Sequence, residues 1–347
     1  MSDMASHIPS PCYLSTGIGA LPHMNPETAC RDVLAAFPEV PYIPVLPNRG
    51  LLEGIVFNDS GPLPGRVITE ERLFIDTVGD HSAAMEQIYM DFVEGNVAPY
   101  SAGEEYVSAL YAMKQHPLDG TTMVKCQVTG PVTFGMQVVD EQKRPILYDE
   151  TYADLLGKML GLRARWFEQE LRSMGAPATL VVLNEPYLAS LGSSVVPVDA
   201  STVQAEWEDI ASMLDGGLGV HCCSNTDWNF VMDLDPAVLS LDAYANAREF
   251  LLYSDRMVRY MEDGGVVAWG IVPADHRIFA QETVQSLTER FLAIRMTCAD
   301  LMDVGVFDRQ SMITPSCGIR FADEAGSREI MQAAATIART MQNTMDE

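Results

Sequence analysis

One pattern limits what this chain can become: short apolar runs alternate with stretches of helical periodicity, and no linker or compositional break divides them. The apolar runs lie at 13–18, 42–46, 123–128, 179–183, 218–223, 237–241, 266–272 and 311–314. Helical patterns lie at 26–37, 80–94, 103–115, 149–174, 200–215, 246–262, 282–303 and 323–343. Strands alternating with helices feed a parallel sheet, so eight such units in one piece predict an α/β protein with a single (β/α)8 TIM barrel over residues 1–347. A length of 347 residues suits that reading, because α/β barrels reach this size as one domain. Residues 48–79 carry Gly61-Pro62 and Pro64-Gly65 and read as an inserted irregular segment or hairpin over one end.

In such a barrel the interior is packed with side chains, and active groups sit at the C-terminal ends of the strands. The segment Leu218-Gly219-Val220-His221-Cys222-Cys223-Ser224 meets that rule most directly. Strand residues two apart share a face, so His221 and Cys223 present an imidazole and a sulfur side by side while Cys222 points away. A later cysteine, Cys317, stands in Ile313-Thr314-Pro315-Ser316-Cys317-Gly318, again where an apolar run meets a break. One imidazole and two thiolates suit zinc, and three protein ligands leave a position open for substrate. The competing reading treats the cysteines as small buried hydrophobes and His221 as a satisfied core residue. Asn184, Glu185 and Asp242 also fall at strand ends, where a packed core has no use for polar groups. Glu185, an acid between a strand end and Pro186, is expected to touch substrate or support the site. Tyr187, Tyr244, His23 and Trp228 are further candidates, each with a structural alternative.

Charge and cysteine usage narrow the function classes. With 48 acidic against 22 basic residues the chain carries a net charge of −26, a field that repels nucleic-acid backbones and anionic lipid. No run approaches the ~20 apolar residues of a membrane span. The first ten residues lack the basic and apolar parts of a secretory signal. Seven cysteines, an odd number without a disulfide-like framework, fit a reduced, cytoplasmic setting in which thiols stay available.

The ordered pieces Gly17-Ile18-Gly19-Ala20-Leu21-Pro22, Gly130-Pro131-Val132-Thr133, Asn184-Glu185-Pro186, His221-Cys222-Cys223, Gly270-Ile271-Val272-Pro273 and Pro315-Ser316-Cys317-Gly318 recur over nearly the whole length. Together they resemble the zinc-binding C-terminal barrel of cobalamin-independent methionine synthases, in its short single-barrel form, within the uroporphyrinogen-decarboxylase-like superfamily. The resemblance implies His221, Cys223 and Cys317 as zinc ligands, with Asp242 where the family has a ligating glutamate. It implies a substrate site at Gly19, Ala20 and Asn184. Glu185 and Tyr244, at strand ends of the same mouth, are further substrate-site candidates, and Glu185 and Asp242 are the expected catalytic residues. Departures from the family pattern are Ala20 for a serine, Asn184 for an aspartate and Val272 for a histidine.

The implied chemistry is methyl transfer to a thiol, with homocysteine as the first acceptor. A thiol of pKa ~8.5 is mostly protonated at neutral pH, and Zn²⁺ makes it a thiolate. Two cysteine ligands leave the zinc site formally neutral, which keeps electron density on a bound substrate sulfur. With Val272 in place of an acid, the donor is expected to have a leaving group that needs no proton, such as methylcobalamin or another methylcorrinoid, free or on a corrinoid protein. Two rivals remain: a corrinoid methyltransferase with coenzyme M or tetrahydrofolate as acceptor, and a non-catalytic corrinoid accessory with a structural zinc.

Overall fold

The computed structural model describes residues 8–69 and 72–345. The expectation about the extreme N-terminus falls mostly on residues 1–7, which lie outside the described residues, as do residues 70 and 71 of the 48–79 segment.

Six strands form one parallel sheet in chain order: β3 (Val124–Thr129), β4 (Thr179–Asn184), β5 (Gly217–Cys222), β6 (Val238–Leu241), β7 (Val266–Val272) and β8 (Ser311–Pro315). β1 (Arg66–Ile68) and β2 (Leu73–Ile75) make the small antiparallel hairpin expected within the 48–79 insertion. The two remaining barrel positions are filled by extended segments instead of full strands, which corrects the expectation of eight. Residues 13–16 run beside β8 through the parallel bridge Ser15↔Ile313, and Tyr42 bridges Lys125 of β3. Ala20↔Val45 joins the two segments to each other, so backbone bonds run the whole way round.

The local sequence explains why these two positions fall short of strands. Pro41, Pro44 and Pro47 offer no N–H, and a ladder cannot continue through residues that cannot donate. In the first segment Cys12, Tyr13 and Gly19 hold φ of 45°, 64° and 41°, left-handed values that interrupt an extended run.

Register tells which residues share a face. Leu180, Val182 and Asn184 on β4 pair with Gly217, Gly219 and His221, and His221 pairs in turn with Ser240, Ser240 with Ala268 and Ala268 with Met312. Leu180, Val182, Val238, Val266, Ala268 and Met312 form one small apolar cluster inside the ring. The opposite faces, including Val181, Leu183, Val220, Leu239, Val267 and Trp269, belong to the larger core beneath the helices. His221 therefore stands on the interior face, at the end where the strands finish.

The long helices form where periodicity placed them, at Pro26–Ala36, Ser82–Glu94, Glu104–Met113, Glu150–Ser173, Ala200–Met213 and Glu324–Asn343. The expected helix at 246–262 is two, Ala243–Phe250 and Ser254–Glu262, with a 3₁₀ turn over Leu251–Tyr253 between them. The expected helix at 282–303 ends at Ala299, and Val304–Arg309 forms a second one. Short helices at Pro131–Gln137, Trp228–Asp233 and His276–Phe279 escape periodicity because two turns or fewer carry too few repeats. No helix among the described residues is long and apolar enough to cross a membrane.

Candidate metal centre

β5 ends at Cys222, and the chain turns immediately after it. That puts His221 on the interior face of the last strand turn and Cys223 just past the strand. Cys317 lies two residues beyond the end of β8, in the turn closed by Gly318. These three side chains converge: the imidazole nitrogen and both sulfurs lie within 4.8 Å of one another. Bonds of about 2.0–2.3 Å from one zinc to nitrogen and sulfur set the same length scale.

The His221 ring is oriented from behind. It is 4% exposed, and its Nδ1 is 2.9 Å from the Ser240 hydroxyl, which register brings alongside from β6. Its Nε2 is buried and has no hydrogen-bond partner. A buried polar atom left unpaired costs free energy, and this one faces two sulfurs. With Nδ1 engaged by Ser240, Nε2 is positioned as a metal donor, the arrangement usual for ligating histidines.

The two cysteines titrate as a pair. The Cys317 side chain and then the His221 ring pull Cys223 below the ordinary thiol range despite its burial. Cys317 moves the opposite way, raised first by Cys223 and then by burial. An unpartnered imidazole nitrogen and two cysteine sulfurs gathered at one point fit zinc.

A cavity of about 400 Å³ opens beside this cluster, lined by His221 and Cys317 on one side and by Ile18, Val45, Ile55 and Pro186 among others. Gly19, Ala20 and Asn184, expected at the substrate site, line it as well. The positive φ of Gly19 and the nearby Gln127 amide, 2.8 Å from where a Cβ would stand, leave no room for a side chain there.

Three other expected residues take different positions. Glu185 follows Asn184 and, by the alternation of strand side chains, turns away from the ring interior. Its carboxylate accepts from the Val132 and Thr133 N–H groups at 3.0 and 2.9 Å and from the Thr133 hydroxyl at 2.6 Å. It anchors the first turn of the Pro131–Gln137 helix, and Gly130 is required beside it, since a Cβ there would lie 2.2 Å from Glu185 Oε1. Burial pushes its pKa up to about 7 in spite of those donors. Asp242 is not a member of the three-residue cluster; its Oδ1 caps the Ala243–Phe250 helix at Ala245 N–H, 2.9 Å away, and burial raises it to about 6. Tyr244 donates to Glu282 at 2.8 Å beneath the Arg290 guanidinium, away from the cavity lining.

Several cavity residues were not found from the sequence. Asp59 is fully buried, paired with Arg163 Nε at 3.4 Å and accepting from Thr129 N–H at 2.8 Å. Asn58, Gln127, Arg320 and Phe321 also line the cavity. The one available signal was the alternation of polar Lys125, Gln127 and Thr129 with apolar residues along that run.

No protein-family model and no curated protein sequence matches this chain. A solved structure, that of a B12-independent methionine synthase from Shewanella sp. W3-18-1 in complex with selenomethionine, is similar to it over 97% of this chain and 96% of its own. The TM-score is 0.56 at 14% sequence identity. At that identity the likeness concerns the fold, and the shared arrangement is a TIM-like α/β barrel.

Proposed function

We propose that this protein is a zinc-dependent methyltransferase whose acceptor is a thiol. The observation that carries the reading is the convergence of His221 Nε2, unpartnered and buried, with Cys223 and Cys317 at the edge of a mostly apolar cavity. His221, Cys223 and Cys317 would hold the ion, and zinc there supplies the positive charge that keeps a substrate thiol ionised at neutral pH.

The chain's own residues do the rest. Ser240 holds the ring of His221 through Nδ1. Two sulfur ligands offset the charge of the ion, which favours a nucleophilic substrate sulfur over the activated water of a hydrolase. Ile18, Val45, Ile55 and Pro186 keep water from the attacking sulfur. In the transfer, a sulfur–carbon bond forms as the donor's bond to the methyl carbon breaks. The donor leaves with the bonding electron pair, and the thiol proton goes to solvent.

For the donor we favour a methylcorrinoid, because Val272 is fully buried and apolar where the resemblance would place a proton-donating histidine. The solved neighbour is described as B12-independent; that description belongs to the neighbour and lends the corrinoid no support. Homocysteine is the acceptor the resemblance offers, and the reaction class does not depend on that choice. Zinc-loaded protein, given methylcobalamin in one arm and methyltetrahydrofolate in another, should consume a thiol and release a thioether, with loss of the cobalt–carbon absorbance in the first arm. Absence of zinc-dependent thioether formation in both arms, across several thiols, would overturn the proposal.

A further inference from the structure

The charges and unpaired atoms along the cavity speak to which thiol it takes. Two charged side chains line it, Asp59 and Arg320. Asp59 is already committed: one oxygen pairs with Arg163 and the other accepts from Thr129 N–H. Arg163 in turn donates to the backbone oxygens of Tyr100 and Asn58, so this pair is closed on itself. Glu185 faces outside the ring with both oxygens taken, and Asp242 caps a helix. Among the described residues, the cavity therefore offers no free carboxylate to an ammonium group.

It does offer two neutral acceptors. Asn58 and Gln127 are 5% and 4% exposed, and Asn58 Oδ1 and Gln127 Oε1 have no hydrogen-bond partner. Gln127 is oriented by its Nε2, which donates to Asn184 Oδ1 at 2.8 Å, and that contact leaves Oε1 unused. Buried amide oxygens without a donor cost free energy until something donates to them. Arg320 stands at the mouth, exposed, with its guanidinium 4.5 Å from the Phe321 ring. Although the chain has 48 acidic residues, Arg320 has no carboxylate partner among the described residues. Its planar fork matches a carboxylate.

We propose that the cavity takes a thiol bearing a carboxylate, held by Arg320, and an uncharged N–H or O–H donor, held by the amide oxygens of Asn58 and Gln127. An N-acylated amino-acid thiol has this chemistry, whereas a free amino-acid thiol brings an ammonium group that finds no countercharge. This rests on the thiol-binding reading above.

Calorimetric titration of zinc-loaded protein with N-acetylhomocysteine, homocysteine and 4-mercaptobutyrate tests it without relying on turnover. N-acetylhomocysteine should bind about tenfold tighter than either of the others, the scale on which an unmatched buried group is felt. Asn58→Asp supplies the missing carboxylate and should shift the preference towards homocysteine by a similar factor. Arg320→Gln should lower the affinity for N-acetylhomocysteine relative to its amide, which lacks the carboxylate. Equal binding of all three thiols, or a preference for homocysteine in the unmodified protein, would overturn this inference while leaving the thiol site standing. Failure of every thiol to bind would remove both.

Discussion

Behind β7, Trp269 packs its ring against Phe250, Phe291 and Phe307 at centroid distances of 5.6, 6.2 and 5.5 Å, and its indole N–H is bonded to Ser311 at 3.0 Å. On the β3 side of the ring the bracing is ionic: the buried Asp59–Arg163 pair ties the 48–79 insertion to the Glu150–Ser173 helix. The first half positions its donors through regular strand register under an apolar core. The second half, whose barrel positions are broken by prolines, relies on a few buried polar contacts made across long sequence distances. His221, Cys223 and Cys317, the proposed metal ligands, sit on the half that strand register organises. Of the polar side chains proposed to select the thiol, Asn58 stands on the insertion and Gln127 on β3, whereas Arg320 follows β8 on the other half.

The largest effect should come from the ionic half. Arg163→Met leaves Asp59 buried and unpaired, which should cost about 3–5 kcal/mol by urea denaturation while zinc affinity in the folded protein is unchanged. A small loss would mean that the two halves are braced alike.

A pH effect of slightly smaller size should come from Glu185. Its carboxyl is protonated in folded and unfolded chains alike below its ordinary value of 4.5 and ionises in the fold only near 7. The stability it contributes is therefore complete at low pH and lost as pH rises through 7. Relative to Glu185→Gln, the unmodified protein should lose on the order of 3 kcal/mol between pH 4.5 and 7.5. A difference that does not vary with pH would show that the helix N–H groups hold the carboxylate charged.

On the metal half, Ser240→Ala should weaken zinc binding by about 10–100-fold, the usual consequence of losing the group that orients a ligating histidine. Chelator competition measures it, and an unchanged affinity would remove Ser240 from the account. Asp242→Asn should have the smallest effect. Asparagine caps a helix about as well as aspartate, so stability should move by only a few tenths of a kcal/mol, and zinc affinity should hold if the carboxylate is only a cap. A large loss of zinc affinity would restore Asp242 as a fourth ligand.

The sequence disclosed the two halves unequally, for the same physical reason. His221 and Cys223 could be paired because strand periodicity is strict, and Cys317 because a proline and a glycine bracket it at a strand end. The same rule, carried one residue past Asn184, turns Glu185 out of the cavity, so its strand-end position alone misled. Ser240 was visible only as one hydroxyl in an apolar run, and its role needed the register with His221. Asp59 and Arg163 stand 104 residues apart, and no local pattern joins an acid in an irregular insertion to a base on a long helix. The ring itself was legible through its alternation, except where Pro41, Pro44 and Pro47 reduced a strand to single bridges.

X-ray absorption at the zinc edge, recorded on loaded protein before and after addition of a thiol, tests the central claim most directly. The account predicts one nitrogen and two sulfurs from the protein, with a third sulfur appearing when the thiol is added. A shell already filled by four protein ligands and unmoved by any thiol would contradict it.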